Sequence, residues 1–139
     1  MPIHKLSIQN TVHKYKKKYK LLKPVYCQAL NDYIYFTAEG FNHLLYKKGH
    51  RRSNKQICFR LPLVNLVLPT ILKCKSSSKI IVIDEIYKNK SIMAMYFELS
   101  AIVGKDHPIK IKVIIKKRGK LGKLFFFSVM KQKTPKKRR

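Results

Sequence analysis

The stretch IKIKVIIKK, residues 109–117, decides the fold class of this 139-residue chain. Its odd-numbered positions from 109 to 115 are Ile or Val, whereas lysine occupies positions 110, 112 and 116. Because successive side chains of a strand point to opposite faces, the pattern predicts a strand with one buried apolar face and one cationic face. Such a strand belongs to an antiparallel sheet that is covered on one side only.

Three more segments, two before this stretch and one after it, have the residue composition that is typical of β-strands. Residues 79–87, 91–99 and 123–130 are rich in Ile, Val, Tyr and Phe, and turn residues such as Asn89, Gly104 and Gly119 separate the segments. This spacing is typical of antiparallel hairpins. The sequence therefore predicts a meander of about four strands over residues 79–130.

The part of the chain before this meander carries helix signals. After a short strand at 33–36, Thr37 is a favourable N-cap for a helix that begins at Ala38. Phe41, Leu44 and Leu45 follow at helical spacing and predict a buried stripe, with His43 at its edge. Beyond a basic loop at 47–55, an apolar segment at 57–72 is interrupted by two prolines, which predicts one or two short helices broken near them.

These signals predict an α+β fold in which N-terminal helices pack on one face of an antiparallel sheet of about four strands and the basic face stays open. We expect a single domain over residues 25–130. Residues 1–24 are predicted to form a basic leader, a solvated arm rather than a dedicated phosphate-binding helix, and residues 131–139, KQKTPKKRR, a basic disordered tail.

The charge indicates the kind of partner. Thirty-two Lys and Arg stand against six Asp and Glu, a net charge of +26, so most basic groups need an external anion. Nucleic-acid phosphates are the favoured one, in a salt-dependent association. A membrane is disfavoured because no apolar run reaches the roughly 18 residues that would span a bilayer. The N-terminus lacks a secretory signal, and three widely spaced cysteines suggest a reducing compartment, so we expect a cytoplasmic protein in which Cys27, Cys58 and Cys74 are small buried residues.

The residue types present restrict the chemistry. No glycine-rich phosphate loop occurs, which excludes the usual NTPase and dinucleotide sites. Two-metal nuclease chemistry needs clustered carboxylates, whereas Asp84 and Glu85 would point to opposite faces of a strand. Metal-free RNA cleavage needs only proton transfer and positive charge, because the nucleophile is the 2′-hydroxyl of the substrate. No metal and no cofactor are expected.

Three segments together resemble a known group of enzymes. YFTAEGFNHL at 35–44, IKVIIKK at 111–117 and FFFSV at 125–129 look like the corresponding parts of small nucleases of the barnase, EndoU, colicin D and RelE-like group, of phage or bacterial type. The resemblance spans residues 25–130. It implies a metal-independent, toxin-like endoribonuclease.

The resemblance also implies roles for particular residues. His43 would act as general base or acid, Lys112 and Arg51 would steady the phosphate, and Ser128 would position it. His50 is an alternative to His43. The residues expected to bind nucleic acid are Lys110, Lys116, Lys117, Arg118, His50, Arg52 and Arg60.

Other interpretations stay open beside this one. His43 could be a structural histidine at the edge of an apolar stripe, and Ser128, on the side of Phe126, could simply bond backbone in a packed sheet. The competing function is a non-catalytic RNA- or DNA-binding protein that uses the basic sheet face. The expected partners are RNA, such as tRNA or ribosome-bound mRNA, and an acidic antitoxin or immunity protein attracted by the charge.

Overall fold

The computed structural model describes residues 5–132. In chain order the elements are α1 Lys5–Lys20, β1 Val25–Cys27, β2 Asp32–Tyr35, α2 Ala38–Leu45, β3 Tyr46–Lys47, β4 His50–Arg51, α3 Asn54–Arg60, a 3-10 helix Leu61–Leu66, α4 Val67–Lys73, β5 Lys79–Tyr87, β6 Lys90–Val103, β7 Ile109–Arg118 and β8 Leu124–Gln132. The fold class is α+β, as the sequence predicts. The helix expected at Ala38 begins there, and the proline-containing segment is divided by the 3-10 helix.

The main sheet is larger than expected. Within residues 5–132 its six strands lie in the order β1-β2-β8-β7-β6-β5. Strands β5 to β8 are the four of the predicted meander, and the β1-β2 hairpin adds two more through a parallel pair, with Ile34 beside Leu124. Local periodicity cannot show this pairing because the two residues are 90 positions apart. Ile34 is fully buried there, which favours the added hairpin.

Two tight turns close hairpins in the chain. Lys88 and Asn89 both have positive φ, 51° and 62°, between β5 and β6, which confirms the turn expected at Asn89. Lys48 and Gly49, with φ of 51° and 79°, join β3 to β4 in the segment expected to be a loop. Positive φ at both central residues suits the twist of paired strands.

The helices cover one face of the sheet. The 3-10 helix contacts β8, and α4 contacts β6 and β7. The continuous helical segment Asn54–Lys73 is long and apolar enough to cross a bilayer by length and composition alone. Ile57, Leu61 and Ile71 are buried in the core, whereas Phe59 and Leu72 are exposed, so one side of this segment packs against the rest of the fold.

Residues 5–20 differ from the mobile leader that the charge run suggested. They form α1, in which Ile8 and Tyr19 are buried. The Tyr19 hydroxyl donates to the Thr37 carbonyl oxygen at 2.6 Å, its ring lies 5.3 Å from that of Phe41, and burial raises its pKa. Apolar residues on one side of the helix thus outweigh its lysines, which stay in water. At the other end, Gln132 completes β8, and residues 133–139 of the expected tail lie outside the described part of the chain.

Among the described residues the cysteines form no group that could hold a metal ion. Cys27 and Cys74 are buried and Cys58 is half-buried, and all three are free thiols. Burial raises the pKa of the Cys27 thiol, although hydrogen bonds from the backbone of Leu30 and Ala29 oppose the rise. Two of the three are therefore the small buried residues expected from the sequence.

Candidate active site

Helix α2 brings His43 to the sheet. Its first turn begins at the Thr37 carbonyl, which accepts from the Gly40 amide at 3.1 Å. Gly40 allows the helix to lie against β8, because a Cβ at this position would overlap the carbonyl oxygen of Phe126. Phe41 and Leu44 then point into the core. His43 is left at the edge, where its ring centroid lies 4.3 Å from that of Phe127.

An irregularity in β8 delivers Phe127 to this place. Ser128 is opposite Ile114 and Phe126 is opposite Ile115, so one extra residue, Phe127, is inserted between two successive pairs. A bulge of this kind changes the alternation of side chains. Ser128 and Phe126 therefore lie on opposite faces, which corrects the expectation that they share one. Phe127 contacts Tyr96 at a centroid distance of 5.4 Å.

Lys116 lies under these rings and is only 3% exposed. Its Nζ is 4.9 Å from the Phe127 centroid and 5.0 Å from that of Tyr96. Its nearest carboxylate is Glu85, 2.8 Å away, and a Glu39 oxygen lies 4.0 Å away. A buried ammonium requires such a partner. Although burial by itself would raise the pKa of Glu85, hydrogen bonds from Lys116 and Arg118 lower it.

Arg118 completes the ion cluster. Its guanidinium donates to both Glu39 oxygens, at 2.8 and 2.5 Å, and its Nε donates to Glu85 at 2.6 Å. The bidentate bond to Glu39, with the bond to Glu85, raises the pKa of Arg118. Glu39, which lies in the first turn of α2, thus links that helix to β7.

The surroundings of His43 keep its imidazole neutral. Burial, followed by the charges of Arg52, Arg60, Lys116 and Lys47, lowers the pKa of His43 to about 4. Every charged group that perturbs it is a cation, and Coulomb repulsion opposes a further positive charge. At pH 7 the ring is therefore uncharged.

Two buried polar atoms near the bulge have no hydrogen-bond partner among the described residues. They are Nδ1 of His43 and Oγ of Ser128. Close by in sequence, the Val129 carbonyl accepts from Arg60 at 3.3 Å, and the His43 carbonyl accepts from Arg52 at 3.1 Å. Buried polar groups are nearly always paired, so unpaired ones mark a site that is strained, wet or functional.

The predicted open face of lysines is partly neutralised. Lys112 bonds Glu98 at 3.5 Å, Lys116 bonds Glu85 and Arg118 bonds Glu39, so three of the six carboxylates of the chain are used on this face. Lys112 also lies four residues from Lys116 on β7, about 13 Å along the strand, and does not join the His43 cluster. Lys110 is half-buried and lies opposite Ile102. Lys117 stands at an odd-numbered position of β7, so it lies on the other face of the strand from Lys110, Lys112 and Lys116.

The basic residues after α2 are divided between two places. Arg52 is buried and Arg60 half-buried, and both lower the pKa of His43. Arg51 and His50 are exposed on β4, where Arg51 bonds the Asn54 side chain at 2.9 Å. Arg51 lines a cleft of about 400 Å³ between α1 and the β3-β4 hairpin, together with Ile8, His13 and Lys16. Of the four residues predicted as catalytic, His43 and Ser128 thus lie at the β8 bulge, and Arg51 and Lys112 lie elsewhere.

Sequence reasoning did not identify Glu85, Tyr96 and Phe127 as parts of this site. Glu85 was considered only as a metal ligand, and its ion pairs cross from β5 to β7 over the intervening strand. Phe127 reaches His43 through the bulge, which no local pattern predicts. One signal in the sequence pointed to Glu85. Strand alternation puts Asp84 and Glu85 on opposite faces, so one of the two has to lie on the face that carries the lysines, and in the structure it is Glu85.

Comparison of the chain with known protein families, curated proteins and solved structures identified no relative. No protein-family model, curated protein or solved structure matches the chain. The resemblance to the barnase, EndoU, colicin D and RelE-like nucleases therefore stays a prediction. The function proposed below depends on the residues and their contacts alone.

Proposed function

We propose that this chain is a metal-independent endoribonuclease whose reaction is centred on His43. The observation that carries the proposal is the half-buried, neutral imidazole of His43, with an unpaired Nδ1, among Arg52, Arg60 and Lys116. An uncharged imidazole has a free nitrogen lone pair for a proton, and cations beside it can stabilise the charge that develops on a phosphate.

The proposed reaction uses the 2′-hydroxyl of RNA as nucleophile. His43, through Nε2 because Nδ1 is buried, accepts the hydroxyl proton while the 2′-oxygen forms a bond to phosphorus. The bond from phosphorus to the 5′-oxygen breaks, that oxygen takes a proton from water and leaves as an alcohol, and protonated His43 returns its proton to the solvent. Arg60, which is half-buried, stabilises the negative charge that builds up on the phosphorus oxygens, and the buried ammonium of Lys116 acts on this charge only at a distance. The other product is a 2′,3′-cyclic phosphate.

A second surface supplies the affinity for RNA in this proposal. The exposed lysines of α1 are Lys14, Lys16, Lys17, Lys18 and Lys20. They continue into the cleft beside Arg51 and the β3-β4 hairpin. Unlike the cations of β7, these groups are exposed, so phosphates can neutralise them with release of counterions.

Non-catalytic binding of RNA or DNA is the alternative function, and one observation favours it. Five exposed lysines lie together on α1, whereas Arg52 and Lys116 beside His43 are buried, and Lys116 is paired with Glu85. Such a distribution would hold a phosphate chain without any chemistry. In both functions an acidic protein that covers α1 is the fitting inhibitor or partner, and the cytoplasm is the fitting location.

Cleavage of RNA in excess EDTA tests the proposal. Structured RNA, including tRNA, should be cut to products with 2′,3′-cyclic phosphate ends, and DNA should survive because it lacks the attacking hydroxyl. His43→Ala should reduce the cleavage rate by about 10²–10⁴, the usual contribution of a positioned proton-transfer group. RNA affinity should be unchanged, since a neutral imidazole adds little to the electrostatic attraction.

His50→Ala is the matched control, because His50 is an exposed histidine on β4. It should leave cleavage intact. If His50→Ala abolishes cleavage and His43→Ala does not, the acting histidine is His50. If RNA is bound in a salt-dependent way and never cut between pH 5 and 9, the chain is a binding protein.

A further inference from the structure

Strand β5 is an apolar strand at the edge of the main sheet, and no other strand within residues 5–132 pairs with its outer side. It pairs with β6 on one side, and the sheet ends at its other side. Its side chains are exposed on both faces: Ile80 is 56% exposed, Val82 52%, Ile83 45% and Ile86 82%. Five of the large hydrophobic side chains that the described part of the chain exposes belong to this one strand.

Proteins usually protect such an edge. Short length, proline, bulges and inward-pointing charges are the common devices, because free N–H and C=O groups invite pairing with another strand. Strand β5 is nine residues long, contains no proline and pairs with β6 in unbroken register from Lys79 to Tyr87. An apolar edge of this length fits a strand partner.

We propose that β5 pairs antiparallel with β5 of a second copy, so that the main sheets of two chains become continuous across a twofold axis at Val82. This inference is independent of the proposed nuclease activity. A twofold axis perpendicular to the sheet keeps each side chain on its own face. Directly paired residues must share a face. Odd-numbered residues of β5 lie on one face and even-numbered residues on the other, so an odd residue pairs with an odd one and an even residue with an even one.

The axis at Val82 is the one that matches the charges. It places Lys79 opposite Glu85 of the second copy at both ends of the ladder. Between these ends, Ile80 lies opposite Asp84 of the second copy and Ile81 opposite Ile83, and Val82 meets its own symmetry mate, so the ladder has one kind of apolar–acid pair where an axis at Ile83 has two. Opposite charges and β-branched pairs directly across a strand pair both stabilise it.

The neighbouring registers are worse. An axis at Asp84 would bring two aspartates together, and like charges directly opposite destabilise a strand pair. An axis at Ile83 would place Val82 against Asp84 and Ile81 against Glu85. An axis at Ile81 would place Lys79 against Ile83 and shorten the ladder.

Long-range charge opposes this association. Two chains of +26 repel each other, and salt screens that repulsion with a Debye length of about 10 Å at 0.1 M and about 3 Å at 1 M. The contacts of the strand pair itself are short-range and mostly apolar. Self-association should therefore strengthen with added NaCl, whereas binding to RNA should weaken, which separates this proposal from the proposed function.

Sedimentation equilibrium of the full chain in 0.1–1 M NaCl tests the inference. The mass should approach twice 16.4 kDa as salt and protein concentration rise. Val82→Lys places two ammonium groups at the axis and should raise the dimer dissociation constant by at least about tenfold. Ile86→Lys is the matched control, because Ile86 would lie opposite residue 78, outside the strand, and it should leave the dimer intact.

The same pair of variants checks the register. Both positions are more than half exposed, so neither change should unfold the chain, and circular dichroism verifies this. If Ile86→Lys dissociates the dimer and Val82→Lys does not, the axis lies at Ile83 and our register is wrong. A chain that stays monomeric at every salt concentration, or a dimer that both variants leave unchanged, overturns the proposal.

Discussion

Mild acid should destabilise the fold through His43. Burial and nearby cations lower the pKa of His43 from 6.5 to about 4 in the folded chain. In the unfolded chain the imidazole takes up its proton near pH 6.5. Between these two values the unfolded state binds more protons, so the free energy of unfolding must fall as the pH is lowered from above 6.5 toward 4.

The size of the loss follows from the two pKa values of His43. A pKa difference of one unit corresponds to about 1.4 kcal/mol. The gap between 6.5 and about 4 therefore limits the loss of unfolding free energy to roughly 3 kcal/mol once His43 is protonated in both the folded and the unfolded state. At pH 5 the limit is roughly 2 kcal/mol. The side chain is half-buried, so solvent screening reduces this limit. We expect a loss of about 1–2 kcal/mol between pH 7.5 and 5.0 that is specific to His43.

Urea unfolding at pH 7.5 and 5.0 measures it. His43→Gln cannot take up a proton, so the native chain should lose about 1–2 kcal/mol more than this variant when the pH is lowered. Carboxylate titration is common to both proteins and cancels in the comparison. His50→Gln, at an exposed position, should behave as the native chain does. Equal losses in native and His43→Gln proteins would refute the electrostatic description of the site.

Two further predictions concern the supports of the site. Glu85→Gln leaves the buried ammonium of Lys116 without its 2.8 Å partner and should cost about 2–4 kcal/mol in urea unfolding, whereas Glu98→Gln, in a more exposed pair at 3.5 Å, should cost less than about 1 kcal/mol. Equal costs would contradict the difference in burial. Gly40→Ala forces a methyl group against the Phe126 carbonyl and should destabilise by about 1–3 kcal/mol; an unchanged unfolding midpoint would show that α2 does not lie this close to β8.

The candidate site was predictable in part. His43 stands at the edge of an apolar helical stripe, and that local pattern was enough to single it out. Its surroundings were not predictable, since Lys116 reaches it from β7 and Phe127 through a bulge in β8. The family resemblance implies the catalytic role for Lys112, and strand alternation does not separate it from Lys116 because both share one strand face. Only their distances to α2 and to the carboxylates distinguish them.

The amino-acid sequence by itself determined the α+β class, the four strands of the meander and the start of α2, because periodicity, capping and turn residues act within a few positions along the chain. Tertiary structure alone decided the rest. It docked the lysine-rich α1 through Tyr19, added the β1-β2 hairpin beside β8 and paired the cations of β7 with carboxylates from α2, β5 and β6. These outcomes depend on which distant segments meet, and burial and charge pairing between such segments leave no periodic trace in the sequence.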